Sequence, residues 1–327
     1  MTNVKERRFK RSFEMTFHEQ MTQTYQYIQR IRAGEIKFFK SGFRDLDDVI
    51  YGSVWPGAHI IIGARPSHGK SAMMQNMAIQ TARQGLKTIY ISFEDNATMI
   101  NMRMLANLAS VHMELMKRGY YDDADNLKML DTLNNEVKIL SNYLQIWDDV
   151  FSLQEIEKLI AERQPDVVFY DYLQCMYLPV NEKRGMNRNE ELGFISKQIR
   201  RLAKQYNFVS VIGSQLNRKI EERNDKTPTL ADLRDSGEIE QDGDLIALLW
   251  LHNDLEKDVN ILDVHLAKNK NGITGQTRVG FIPRYCRIVD LDEVEAFEEA
   301  ENEPANQDIT DLYRVQPEEF ESLGVFN

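Results

Sequence analysis

The segment "ARPSHGKS", Ala64 to Ser71, follows an apolar run and precedes a helical pattern. Strand, loop and helix in that order are the context a phosphate-binding loop requires. Backbone N–H groups in the loop and at the helix start can point at phosphate oxygens. Ala64, Arg65, Pro66, Ser67 and His68 would form the wrap, with Pro66 stiffening it. Gly69 lets the backbone come close, Lys70 can neutralise the β- and γ-phosphates, and Ser71 can offer its hydroxyl to Mg²⁺. Ala64 stands where the strict G-x-x-x-x-G-K-[ST] pattern has glycine.

Hydrolysis asks for more than a held phosphate: a metal must be placed and a water activated. Asp171 ends the apolar run "VVFYD", Glu94 follows "TIYISF", and Ser214 and Gln215 follow "SVIG". The carboxyl ends of strands are where open parallel sheets bind ligands. There Asp171 can hold Mg²⁺ or its waters, Glu94 can act as the base for water, and the neutral amide of Gln215 can sense a γ-phosphate. The neighbouring Asp95 is expected to cap a helix starting near Ala97.

The elements that must position these groups alternate along the chain. Strands are expected at 59–63, 88–93, 167–171, 208–213, 245–252, 261–267 and 277–282. "VVFYD" and "LIALLWLH" are near-continuous apolar runs, as in strands buried on both faces. Helices are expected at 71–84, at 152–163 behind a Ser152–Glu155 capping box, and at 191–206. The alternation indicates an α/β domain with a mostly parallel central sheet flanked by helices. Ahead of it, Phe13, Phe17, Met21, Tyr25, Ile28 and Ile31 fall on one face of an N-terminal helix ending near Ala33 and Gly34. The expected organisation is a basic arm at 1–12, a helix and connection at 13–38, a main domain at 39–289 and an acidic, mobile tail at 290–327.

Bulk composition removes several classes. Hydrophobic residues are 42% of 327, enough for a sizeable core. No apolar run approaches the ~20 residues of a membrane span, and the basic N-terminus lacks the apolar centre of a secretory signal. Two cysteines and six histidines form no disulfide or metal framework, so a cytoplasmic location is expected. The net charge of -11 sits mainly in the tail, where thirteen acidic residues and one arginine follow Val289. The remainder carries 39 basic and 38 acidic residues, so a local basic surface for DNA is compatible with it. One candidate is the loop 181–191, with Lys183, Arg184 and Arg188. A second is "DLRDSGE", where Arg234 can pair with a phosphate and Gly237 can present its N–H.

Taken in order, "SGFRDLDDVIYG", "PGAHIIIGARPSHGKS", "ISFEDN", "VVFYDYLQCM", "GSQLNRKIEERNDKTPTLADLRDSGEIEQDGDLI" and "AKNKNGITGQTRVGF" resemble the motor domain of DnaB-type hexameric replicative DNA helicases. These are a branch of the RecA-like ATPases, and the resemblance runs from about Phe39 to Ile288. In that family Ala-Arg-Pro-Ser before Gly-Lys is an accepted loop. The resemblance implies ATP and Mg²⁺ held by Lys70, Ser71 and Asp171, Glu94 as catalytic base, and Gln215 as γ-phosphate sensor. It implies DNA-backbone contact at Arg234, Asp235 and Gly237. It also implies a hexamer on single-stranded DNA, with the N-terminal helix docked on the neighbouring subunit. A Lys-x-Arg pair would complete each site in trans. Here Lys268 matches the lysine, and Lys270 stands where the arginine is expected, a point charge without the guanidinium fork. About 40 residues precede the motor, room for the linker helix and not for the family's N-terminal domain, as in a pared-down helicase. A primase or a loader is the expected protein partner. Two rivals share these residues: a RecA-like DNA-binding ATPase that does not unwind, and a nucleotide-binding ring subunit without turnover.

Overall fold

The computed structural model describes residues 15–36, 38–50, 52, 54–183, 185–252 and 258–302, with backbone alone for 181, 234–238 and 298–302. The expected basic arm, Phe13, Arg184 and the tail beyond 302 lie outside the described residues. The chain divides into two units, residues 1–38 and 39–327.

The first unit contains helix α1 (Phe17–Arg32). Its start is set by a capping box: Thr16 Oγ1 accepts from the Glu19 N–H, and the Glu19 carboxylate accepts from the Thr16 N–H at 2.7 Å. That box moves the start four residues past the expected Phe13. No residue of α1 is buried, and its stripe Phe17, Met21, Tyr25 and Ile28 is more than half exposed.

In the second unit α2 (Arg44–Ile50) precedes β1 (His59–Ala64), α3 (Lys70–Arg83) and β2 (Thr88–Ser92). An excursion of four helices follows: α4 (Ala97–Ala109), α5 (Met113–Arg118), α6 (Asp123–Thr132) and α7 (Lys138–Leu140). The chain then forms β3 (Leu144–Trp147), α8 (Leu153–Arg163), β4 (Val167–Asp171), α9 (Val180–Lys183), α10 (Arg188–Tyr206) and β5 (Val209–Gln215). Helix α11 (Gly237–Asp242) leads into β6 (Leu245–His252), β7 (Asn260–Asn269), β8 (Gly275–Ile282), β9 (Arg287–Val289) and α12 (Leu291–Asn302).

All nine strands join one sheet in the order β3-β2-β4-β5-β1-β6-β7-β8-β9. The six from β3 to β6 are parallel; β7, β8 and β9 continue as antiparallel neighbours. Alternation along the strands decides the layers. Ile60, Ile62, Tyr90 and Phe169 face a core shared with Met73, Met74 and Met77 of α3. Ile61, Ile91, Val168 and Tyr170 face the opposite core, with Ile156 and Ile160 of α8 and Ile195 and Ile199 of α10. Each fully buried aliphatic side chain contributes about 1.5–3 kcal/mol. Strand β1 lies mid-sheet between β5 and β6, so the loop that follows it opens at the point where strand order reverses.

Three features differ from the reading of the sequence. Strands β3 and β9 span four and three residues, too short to show a period. The helical excursion between β2 and β3 has no counterpart among the expected helices beyond its start. The region expected to open the acidic tail begins as helix α12, whose Val294 packs with Val259, Ile282 and Val289.

Candidate active site

The loop after β1 is shaped by two left-handed residues, Ser67 (φ 63°) and Gly69 (φ 77°). Gly69 is the residue type that takes this conformation without steric cost, and it is the N-cap of α3. No side chain caps α3, so its first N–H groups face the loop unclaimed by any capping group. Together with the helix dipole they suit an anion. Ala64, Arg65, Pro66, Ser67, Gly69, Lys70 and Ser71 line a cavity of about 380 Å³, and Glu94, Tyr172, Gln215 and Phe281 complete its wall.

Lys70 is nearly buried. Its Nζ lies 2.9 Å from Asp171 Oδ1 and 3.4 Å from the centre of the Tyr172 ring. Burial pulls the ammonium pKa below its usual value, and the Asp171 carboxylate opposes that shift. Asp171 Oδ2 accepts from the Tyr90 hydroxyl at 2.6 Å. Burial and the Asp171 charge hold that phenol protonated, well above its ordinary pKa. A carboxylate offers about four lone-pair sites, so these two contacts leave capacity for the water of a hydrated Mg²⁺. Ser71 supplies the hydroxyl. Among the described residues no cluster of three acidic, histidine or cysteine side chains could hold a metal alone. That fits Mg²⁺, which is commonly held by one or two carboxylates plus substrate phosphates.

The three strand-end groups converge because their strands are neighbours. Ser92 pairs with Asp171 across β2 and β4, which sets Glu94 two residues beyond that point. Glu94 is exposed at the cavity wall. Ala64 pairs with Gln215 across β1 and β5, and the Leu216 N–H donates to the Ala64 carbonyl at 2.9 Å.

Other expected loop residues turn elsewhere. Arg65 is buried; its Nη1 donates to the Leu216 carbonyl at 2.7 Å and its Nε to Glu221 at 2.8 Å. It ties the phosphate loop to the segment after Gln215 and does not offer its guanidinium to phosphate. His68 lies outside the cavity wall. Its Nδ1 accepts from the Leu251 N–H at 3.1 Å and its ring lies 4.2 Å from that of Trp250. Burial holds the imidazole below its ordinary pKa. Asp95 is not the cap of α4. Asn96 is, accepting from the Met99 N–H, while Asp95 pairs with Arg103.

Two of the loop cations read as DNA contacts are drawn inward. Lys183 Nζ and Arg188 Nη1 lie 3.1 and 2.8 Å from the fully buried Glu191 Oε2. Burial works against the charge of Glu191, but the Leu178 N–H, Arg188 and Lys183 outweigh it and hold the carboxyl below its usual range. Arg188 also donates to the carbonyls of Gln174 and Met176, so its guanidinium is a structural anchor in this arrangement. Arg234, Asp235 and Gly237 fall where a 3-10 segment (Leu230–Ser236) meets α11, and their side chains lie outside the described residues. Lys268 and Lys270 sit at the opposite edge of the sheet from the loop. Lys268 pairs with Ile246 near the start of β6, whereas Ala64 pairs with Leu249. Lys268 Nζ donates to the Glu240 carbonyl at 2.7 Å, and the exposed Lys270 lies 3.6 Å from Asp244.

The sequence reading missed Tyr172, Phe281 and Gly213. A Cβ on Gly213 would meet Met74 Sδ at 2.9 Å, Lys70 Cδ at 3.1 Å and Tyr172 Cβ at 3.1 Å. The glycine inside a strand was the available signal, marking close approach by another group.

A profile of the DnaB-like helicase C-terminal domain matches residues 39–290. The chain belongs to that family. A replicative DNA helicase DnaB of Geobacillus stearothermophilus is 32% identical over 296 residues, covering 87% of this chain and 63% of that protein. A probable plasmid replicative DNA helicase of Chlamydia trachomatis is 35% identical over 257 residues, covering 76% and 54%. This DnaB-family chain thus spans between half and two thirds of the curated relatives it matches. Among solved structures, a helicase-type ATPase domain superposes with a TM-score of 0.74 at 29% identity, covering 84% of this chain and 99% of that one. A DnaB-like replicative helicase, described with its interactions with primase, gives 0.70 at 26% identity, covering 85% and 67%. The family's RecA-like ATPase fold is therefore the fold of this chain. No helix among the described residues is long and apolar enough to cross a membrane.

Proposed function

We propose that this chain is the ATP-driven motor of a replicative DNA helicase, moving on single-stranded DNA as a homo-oligomeric ring, a hexamer by analogy with its family. The observation that carries the reading is the convergence of Lys70, Ser71, Glu94 and Gln215 on one cavity, with Asp171 behind Lys70. Lys70 and the α3 N-terminus would bind the β- and γ-phosphates. Ser71 and Asp171 would hold Mg²⁺, which supplies charge neutralisation on the phosphates when bound. Glu94 would take the proton of the attacking water, and Gln215 would contact the γ-phosphate. Lys268 and Lys270 stand more than about 10 Å of strand length from the loop of their own chain. That supports their service to a neighbouring subunit's site rather than to their own.

The stripe on α1 would dock on an adjacent copy. Arg234, Asp235 and Gly237 would track the DNA backbone. The related DnaB-like helicase that interacts with primase supports a primase as partner. Opening a base pair costs about 1.4 kcal/mol of stacking, several times less than ATP hydrolysis releases, so energy is sufficient. The test is strand separation on a forked duplex with ATP and Mg²⁺. Displacement that vanishes in Lys70→Ala supports the reading. ATP hydrolysis without displacement would favour a DNA-binding ATPase that does not unwind.

A further inference from the structure

Gln215 can report on a γ-phosphate only if its backbone is fixed, and one side chain fixes it. Gln174 lies in the 3-10 turn Leu173–Cys175 that follows β4. Its Oε1 accepts from the Gln215 N–H at 3.0 Å. Its Nε2 donates to Ser214 Oγ at 3.2 Å and to the Gln215 carbonyl at 3.4 Å. The amide therefore brackets both backbone groups of Gln215, and it does not line the phosphate cavity. The carbonyl of Gln174 is itself held, accepting from Arg188 Nη2 at 2.8 Å. Arg188 stacks over the exposed Tyr177 ring at 4.1 Å and pairs with the buried Glu191. A contiguous set of polar contacts thus runs from the 177–188 segment, through Arg188 and Gln174, to Gln215.

We propose that Gln174 is the positioning residue of Gln215, and the point at which the 177–188 segment acts on the phosphate site. This rests on the reading of Gln215 as the γ-phosphate sensor. A side-chain amide suits the task because it offers an acceptor and donors in one plane. Losing it frees the end of β5 to shift, and small misplacements of a contacting group weaken its discrimination sharply. Gln174 acts through Gln215, so its effect must disappear when Gln215 is already gone.

The experiment measures equilibrium binding of ADP and of a non-hydrolysable ATP analogue to the full chain, so it needs no turnover. Gln174→Met keeps the length and removes the hydrogen bonds. It is expected to lower the preference for the triphosphate by about fivefold or more, with ADP affinity within about twofold. Gln174→Glu keeps the acceptor for the Gln215 N–H and should fall between the two, giving a reading even if the methionine variant folds poorly. The double variant with Gln215→Ala should match Gln215→Ala alone. Oligothymidine should shift the preference of the wild type and not that of Gln174→Met.

Wild-type preference in both Gln174 variants would overturn the proposal, as would a double variant that loses the product of the two single losses. No oligothymidine effect on the wild type, or an equal one on Gln174→Met, would remove the 177–188 segment from it. Should Gln215→Ala itself keep full preference, the sensor reading fails first, and that result is distinct from a failure of Gln174 alone.

Discussion

Lys70 carries the site at the scale of single residues, because it is held between Asp171 and the Tyr172 face in a nearly buried position. Lys70→Ala is expected to reduce nucleotide affinity by at least about tenfold, the loss of a charge-assisted contact worth about 1.5–3 kcal/mol; fluorescent-nucleotide titration reads it. Glu94→Gln should bind nucleotide like the wild type and lose turnover by a factor of about 10²–10⁴. Turnover retained in that variant would remove Glu94 as the base. Gly213→Ala crowds the Lys70 stem and Tyr172, so it should weaken nucleotide binding while Lys70 itself is intact. Lys70, Ser71, Glu94, Asp171 and Gln215 were legible in the sequence, since a strand end beside a Gly-Lys-Ser turn constrains what a polar residue can do. Tyr172, Gly213 and Gln174 were not. Their roles depend on β4 and β5 lying side by side, which residue type and spacing along one strand do not reveal.

Elements are held to the sheet through residues buried on its two faces. Ile199 of α10 is fully buried among Ile195, Leu202 and the β-strand residues of its core. Ile199→Ala should cost about 2–5 kcal/mol in a denaturant titration, without altering the nucleotide Kd of the folded fraction. His59 opens β1 and joins β5 and α10, with Nδ1 2.6 Å from Ser210 Oγ and Nε2 3.3 Å from Ser196 Oγ. Burial lowers its pKa to about 3. The unfolded imidazole titrates near 6.5, so between those values the unfolded chain binds more protons and stability rises with pH. The contribution is full above about pH 6.5 and is lost as pH falls toward 3. Unfolding free energy should drop by about 2 kcal/mol from pH 7 to 5 on this account, and His59→Gln should flatten that slope. Glu191, held low, adds its own loss only below about pH 4.3. Long strands and capped helices such as β4, β6 and α8 were readable from apolar runs and the Ser152 box. Strands β3 and β9 were not, because three or four residues carry no period and pairing with a neighbour alone makes them strands.

For the whole molecule, the sheet register puts the phosphate loop at one edge and Lys268 and Lys270 at the other. A site needing both groups has to be built from two copies. Lys270→Arg should raise turnover if that lysine reaches a neighbour's γ-phosphate, since a guanidinium presents a bidentate fork; lower turnover would count against it. The account's central claim is that the nucleotide site is shared between protomers and answers to DNA. Turnover per chain, measured with saturating single-stranded DNA across a range of protein concentrations, tests it most directly. The account predicts turnover per chain that climbs with concentration as copies assemble, and that DNA increases. Constant turnover per chain, down to concentrations where the protein runs as a 38.1 kDa monomer, would contradict it.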